Sequence, residues 1–370
     1  MPKLWTVKRP TLQTEVQLDR YIAHLKALDF VNDVTVHGPE TYGHEEFDAV
    51  LGITTPAGEF KLGAEIKSVY PNRALVNLIT ATAHRFETRN RKRMGYVALL
   101  TRTARIQEEK LIEAGVNFMD LAGNLNLKLG QNYQALVVGR REQPRGESES
   151  SKLASRAGAQ LLFTLAADPD AANWPTRQLA QASGISKSIV ARLKRRLVHS
   201  GILQPVGRDF RLAKPNEIRQ QLLAGYSETL YPRILFGRFR SGIRDTKDFL
   251  LHASTIFGEA QMRWSLTGGP AADLLQHYFR GEEIPIFVER PNADLQKKLR
   301  LLPDRTGPIK LLSAFGAPAF WRTIDNYPVA HPWLIFAELM QSEDSRAHEA
   351  AQELYTEFLA NHDRTLASAD

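Results

Sequence analysis

The sequence predicts a multidomain protein of α/β and α+β class, and three observations predict it. A chain of 370 residues is longer than one hydrophobic core ordinarily serves. Two composition breaks divide it. Glu142–Ser151 (EQPRGESESS) has no large apolar residue and cannot bury a core face, and Ala213–Asn216 (AKPN) closes a short basic stretch. The parts between the breaks also differ in pattern. Residues 1–141 alternate helical and strand periods, 153–215 are mainly helical and basic, and 216–370 mix both again. The expected divisions are an α/β domain over 1–141, a linker over 142–152, a helical domain over 153–215 and an α+β domain over 216–370.

In the first part, Leu12, Glu15, Val16, Leu18, Asp19, Ile22, Leu25 and Leu28 suit an amphipathic helix whose apolar stripe is broken by Glu15 and Asp19. Phe47–Ile53 and Phe60–Val69 read as strands, and Pro56–Glu59 between them is turn chemistry, so the pair is a hairpin. Arg73–Lys92 is a long helix. Tyr96–Leu100 is a buried strand, and Ala104–Ala114 is a helix ended by Gly115. Val116–Met119 is a strand, and Leu125–Leu129 with Tyr133–Val138 closes the sheet as a second hairpin. The strand ending at Asp120, followed by Gly123-Asn124, is expected to present polar groups at a sheet edge, as turn chemistry or as part of a site. Arg85, Arg89, Arg91, Lys92 and Arg93 end a helix, where cations suit the dipole and could also contact phosphate.

Composition narrows the function. Absence of cysteine excludes a disulfide scaffold, a cysteine-ligated metal and a thiol nucleophile, and fits a reducing compartment. No signal peptide and no apolar run of membrane-spanning length are visible, so a cytoplasmic protein with no membrane partner is expected. The net charge of +7 is uneven: residues 142–215 hold 12 Lys+Arg against 6 Asp+Glu, whereas 216–370 hold 17 against 20. A polyanion should therefore meet the middle of the chain.

The first hairpin carries chemistry. Glu65 and Lys67 are two apart on one strand and so share a face, and the hairpin brings Asp48 beside them. Glu65 lies within an apolar strand, LGAEI, where a charge needs a function or a partner. Two carboxylates suit a hard cation such as Mg²⁺, and a lysine can polarise water or meet phosphate. The order helix, strand with Asp, turn, strand with Glu-x-Lys, helix, strand resembles the PD-(D/E)XK, restriction-endonuclease-like fold over residues 10–140. The resemblance implies Asp48 and Glu65 as metal ligands, Lys67 as the motif lysine and Glu15 as an additional acid. It leaves open a live nuclease or a fold kept for binding. On the nuclease reading, removing either carboxylate relieves repulsion, so stability should hold or rise slightly.

Residues 153–213 carry the binding signal. Ala157–Leu165 is an apolar helix, Arg177–Ala182 a short one, Ser183-Gly184-Ile185 a turn, and Ser186 caps a helix to Ser200 with Val190, Leu193 and Leu197 inward. Ile202-Leu203 and Val206–Leu212 read as a two-stranded wing, so the whole resembles a winged helix-turn-helix. Ser186, Lys187, Ser188 and Arg192 are placed for base edges of double-stranded DNA. Arg177, Lys194, Arg195, Arg196 and Arg208 are placed for binding it, the last four for its phosphates. Residues 173–215 hold nine Lys+Arg and one acid.

In the last part, Trp264–Leu266, a Gly268-Gly269 turn and a helix to Tyr278 look like the opening of a nucleotidyltransferase-type fold. The following strand, Ile284–Glu289, has no Asp-x-Asp, so the resemblance is to a degenerate member. Two amphipathic helices, Leu334–Met340 and Arg346–Leu359, follow, with Arg346 and Glu349 exposed. The three parts in this order resemble the AbiEi-like family of transcriptional regulators and antitoxins of type IV toxin–antitoxin systems, although its best-known members lack the nuclease-like part. The resemblance implies promoter binding, autoregulation and a partner toxin of nucleotidyltransferase type. Two other functions stay open: an Mg²⁺-dependent nuclease targeted by its winged helix, and a protein-interaction scaffold.

Overall fold

Alternating apolar residues in the first 140 positions assemble one seven-stranded sheet. The computed structural model describes residues 12–42, 45–67, 71–90, 94–140 and 155–360. The expected linker over 142–152, the terminal residues Thr365–Asp370, and Arg91, Lys92 and Arg93 lie outside the described residues, as do the side chains of Glu15 and Arg89. The class is mixed α/β, and the chain divides into two units, Met1–Glu147 and Ser148–Asp370.

In the first unit, α1 (Leu12–Lys26) leads into β1 (Asp33–His37), a small ribbon of β2 (Glu40–Tyr42) and β3 (Glu45–Phe47), then β4 (Ala49–Thr55) and β5 (Gly58–Lys67). There follow α2 (Arg73–Asn90), β6 (Gly95–Leu100), α3 (Arg105–Glu113), β7 (Phe118–Asp120), β8 (Leu125–Leu129) and β9 (Tyr133–Val137). The sheet order is β1-β4-β5-β6-β7-β8-β9. β5–β6 and β6–β7 are parallel, and the remaining pairs are antiparallel. Leu62 and Ala64 point into the core that holds Tyr21 and Leu25 of α1. Gly63, Glu65 and Lys67 therefore face the other way, where Phe47 packs edge-on against Phe86 of α2 with ring centroids 4.9 Å apart. Gly63 makes room for that ring: a Cβ there would lie 2.7 Å from it.

Phe47–Ile53, expected as one strand, is interrupted at Asp48. β3 pairs in the ribbon, and β4 begins at Ala49 opposite Ala64. Asp48 Oδ2 accepts from the Ile66 amide at 2.7 Å, so the side chain continues the hydrogen bonding where the ladder stops.

The second unit opens with α4 (Arg156–Ala167), a 3₁₀ turn (Pro169–Asn173), α5 (Thr176–Ser183), α6 (Lys187–His199) and the hairpin β10 (Leu203–Val206) and β11 (Asp209–Leu212). α7 (Pro215–Gly225) and α8 (Tyr231–Ile234) lead to β12 (Leu235–Ser241), α9 (Thr246–Glu259), β13 (Trp264–Leu266), α10 (Gly268–Gln276) and β14 (Ile284–Val288). α11 (Ala293–Lys298), β15 (Leu301–Pro303), β16 (Ile309–Ser313), β17 (Arg322–Ile324), β18 (Tyr327–Val329), α12 (Pro332–Gln341) and α13 (Ser345–Leu354) complete it. Its sheet runs β15-β12-β16-β14-β13-β18-β17. Gly268 and Gly269 form the first turn of α10 rather than a separate loop. A Cβ at Gly268 would meet Pro285 at 2.7 Å, and one at Gly269 would overlap the Arg280 carbonyl. Close packing accounts for both glycines. Among the described residues no helix is long and apolar enough to cross a membrane.

Candidate nucleic-acid interface

The segment from Thr176 to Leu212 folds as a helix, a tight turn, a second helix and a two-stranded hairpin. Gly184 takes the left-handed conformation at φ 67° that ends α5, and Ser186 caps α6 by accepting from the Ile189 amide. Val190, Leu193 and Leu197 recur on one face of α6 and are buried. That spacing turns the other face of α6 outward: Lys187, Ser188, Arg192, Arg195 and Arg196 are exposed, as are Ser186 at its cap, Arg177 of α5 and Arg208 between β10 and β11.

Lys194, expected at phosphate, turns inward instead. Its ammonium donates to the Ala172 carbonyl at 2.7 Å and lies 4.6 Å from the centre of the Phe210 ring. Burial lowers its pKa. Position 194 follows Leu193 on the helix and lies beside the 3₁₀ turn, so the long stem reaches back over β11. Asn173 completes this anchor and was not anticipated from sequence. Its side chain donates to the Phe210 carbonyl at 3.0 Å and accepts from the Phe210 amide at 2.6 Å, pairing with β11 as a strand would. An asparagine just before Trp174-Pro175 is the only signal that could have shown it.

The turn between α5 and α6 is seated on the loop after β16. Gln160 of α4 donates to Ser183 O at 3.3 Å and to Phe315 O at 3.2 Å. A Cβ on Gly184 would overlap Phe315 O, and one on Gly316 would overlap Ala182 O. Glycine is required at both places because two backbones touch.

In the first unit the structure brings Glu65 and Lys67 together. Lys67 Nζ lies 2.7 Å from Glu65 Oε2, and Tyr96 OH donates to the same oxygen at 2.7 Å. Glu65 is 3% and Lys67 1% exposed. Asp48 is next to them through Ile66. This arrangement does not suit Mg²⁺, which needs open carboxylate oxygens in octahedral array. An ammonium already neutralises Glu65 from 2.7 Å. Among the described residues no group of three or more His, Asp or Glu side chains is placed to hold a metal ion. The expectation that stability holds or rises slightly on removing Glu65 does not fit this pairing, because the loss would strand a buried ammonium.

Asp120 is also not at an edge. β7 lies inside the sheet, and Asp120 is fully buried. It accepts from the Ala122 and Asn124 amides at 2.9 Å and from Thr103 Oγ1 at 2.9 Å. It is the organiser of its own turn.

Sequence reading missed a charged cluster in the second unit. Lys310 of β16 pairs with Glu283 at 2.5 Å and Glu338 at 3.5 Å, Tyr226 OH donates to Glu338 at 2.6 Å, and Arg238 reaches Glu283 at 2.6 Å. Burial pushes the Tyr226 hydroxyl well up and that of Tyr231 to about 12, with the Glu338 charge adding to both. Burial opposes the charge on Lys310, but Glu338, Tyr231 and Glu283 together raise its pKa. Single charges inside IKLLS and PWLIFAELMQ were the available signal.

Residues 211–360 match the model of a family described as transcriptional regulator, AbiEi antitoxin, type IV toxin–antitoxin system, and the match supports the AbiEi-like resemblance. No curated protein and no solved structure matches the chain.

Proposed function

We propose that this chain is a DNA-binding transcriptional regulator of the AbiEi antitoxin kind, gripping double-stranded DNA through residues 176–212 as a winged helix-turn-helix. The supporting observation is the exposed basic surface of α5, α6 and the hairpin. Six cations are exposed on it: Arg177 of α5, Lys187, Arg192, Arg195 and Arg196 of α6, and Arg208 of the hairpin. α6 enters the major groove with Ser186, Lys187, Ser188 and Arg192 toward base edges. Arg177, Arg195, Arg196 and Arg208 hold phosphates and fix the register without reading sequence. Lys194 and Asn173 set the angle of the hairpin.

The family match begins within β11 and runs through the second unit to residue 360. A regulator of this kind works beside a toxin, and the resemblance makes that partner a nucleotidyltransferase-type protein. On this reading the first unit, with its closed Glu65–Lys67 pair, serves binding rather than cleavage. The test is a gel shift with the purified chain and the DNA upstream of its own reading frame, at several salt concentrations. A retarded complex that salt dissolves supports the reading. No complex at about 50 mM salt, where phosphate contacts are strong, removes it.

A further inference from the structure

Two arginines and a histidine of the first unit close on one turn. Arg20 and His24 are four apart on α1 and so share a face. Arg20 Nη2 donates to the Leu121 carbonyl at 2.7 Å, and His24 Nε2 lies 3.2 Å from the same oxygen. Arg140, just beyond β9, comes to the same turn: a Cβ on Gly123 would lie 2.6 Å from its Nη1 and 2.9 Å from His24 Nδ1. Gly123 has φ 86°, and its missing side chain leaves room for both groups. Asn124 holds Arg140 in this place, accepting from its amide at 2.7 Å and donating to its carbonyl at 3.0 Å.

The cluster stands where parallel strands end. Tyr21 OH donates to Leu100 O, at the end of β6, at 2.6 Å, and Leu121 follows the last residue of β7. Ligands of α/β sheets gather outside the carboxyl ends of such strands. Among the described residues neither His24 nor Arg140 is in an ion pair. Asp120, the carboxylate of this turn, is fully buried and already accepts from the amides of Thr103, Ala122 and Asn124. Arg140 is exposed, and Arg20 and His24 are half-buried, so an anion can reach them from solvent. The histidine selects among anions. A carbonyl oxygen only accepts, so Nε2 carries a hydrogen and Nδ1 is left for the ligand. A phosphate monoester has a second proton that ionises at about pH 6 and that Nδ1 can share, and it brings close to two charges to two guanidiniums. A phosphodiester or a carboxylate brings one.

We infer that Arg20, His24 and Arg140 bind a phosphate monoester at the Leu121–Asn124 turn of the first unit. The Arg140 fork grips the phosphate oxygens, His24 shares a proton with them and Arg20 adds its charge. The monoester can belong to a free nucleotide or phosphate, or to the phosphorylated end of a strand, since the chemistry is the same. The inference gives the first unit a ligand of its own and does not depend on α6.

The experiment is calorimetry of the full chain with adenosine 5′-monophosphate and with inorganic phosphate, against dimethyl phosphate and acetate. Fluorescence anisotropy adds a short single strand bearing either a 5′-phosphate or a 5′-hydroxyl. The variants are R140Q, H24Q and, as a charge-matched control on an exposed arginine of α3, R105Q. Wild type should bind at least one monoester saturably and about tenfold more tightly than its diester, carboxylate or hydroxyl counterpart. R140Q should lose about tenfold, the loss of one charge-assisted contact. H24Q should lose most of the preference for monoester over diester, and R105Q should stay at wild type. Binding of the nucleotide or of inorganic phosphate marks a small-molecule source, and a preference confined to the 5′-phosphorylated strand marks a strand end; either supports the site. Absence of any preference for a monoester, acetate bound as tightly as phosphate, or R140Q equal to R105Q overturns it. The Arg140 backbone stays tied to Asn124 whatever its side chain, so R140Q should melt with wild type. Should it melt early, R140K keeps the charge and loses the fork. It should bind more weakly than wild type, and equal affinity would count against the site. R195A/R196A should keep wild-type affinity for the monoester, so the DNA-binding reading and this one can each fail alone.

Discussion

Gly184 and Gly207 make a matched pair for measuring what the α5–α6 turn gains from the loop after β16. Both have positive φ, 67° and 61°. Nothing lies within 4 Å of a Cβ built on Gly207, whereas one on Gly184 would overlap the Phe315 oxygen and sit 3.3 Å from its carbon. Gly207→Ala therefore costs only the left-handed conformation, about 1–2 kcal/mol. Gly184→Ala costs the same plus separation of the two backbones. Separation draws Ser183 O and Phe315 O away from the buried Gln160 amide, and an orphaned buried amide costs about 1–3 kcal/mol. The expected totals are about 1–2 kcal/mol at 207 and about 2–5 kcal/mol at 184. Urea unfolding followed by tryptophan fluorescence reads this directly, since four of the five tryptophans lie in the second unit. Equal losses within about 0.5 kcal/mol would refute the contact between turn and loop.

Other perturbations have equally definite outcomes. Lys310→Met strands the buried Glu338 and should cost about 3–5 kcal/mol; a loss below about 1 kcal/mol would show the cluster to be solvated. The raised pKa values of Tyr226, Tyr231 and Lys310 mean that the folded state holds their protons more tightly. That stability is complete below the ordinary tyrosine value, about 10, and is lost as pH rises through the folded values. Melting temperature should hold from about pH 8 to 10 and fall above it, and a rise in that upper range would contradict the cluster. Lys67→Met alone should cost about 3–5 kcal/mol, while E65L/K67M together should cost much less. Additive losses would show that the two charges do not interact. Calorimetry of wild type with Mg²⁺ or Mn²⁺ should show no uptake at Asp48 and Glu65, and saturable binding lost in Glu65→Gln would reinstate a metal site.

Local chemistry was legible in the sequence, and long-range pairing was not. Pro56–Glu59 between apolar runs marked the β4–β5 hairpin, and Gly184 with Ser186 marked the turn and cap, because each signal is complete within a few residues. β1 went unread because DVTVH on a sheet edge buries only Val34 fully. The shared face of Glu65 and Lys67 followed from strand period, but its closure did not, since Tyr96 comes from a strand 31 positions away. The inward turn of Lys194 depends on where Ala172 and Phe210 fall. The Lys310–Glu338 pair spans 28 positions.

DNA binding through α6 is tested most directly by the salt dependence of affinity for duplex DNA, in wild type and in R195A/R196A. Six exposed cations on α5, α6 and the hairpin, of which four meet phosphate, give a slope of log affinity against log salt near −4, at about −0.9 per contact. Replacing Arg195 and Arg196 should flatten that slope by about 2 and weaken binding to every sequence alike. A slope near zero in wild type, or an unchanged slope in the variant, would contradict a DNA-binding α6.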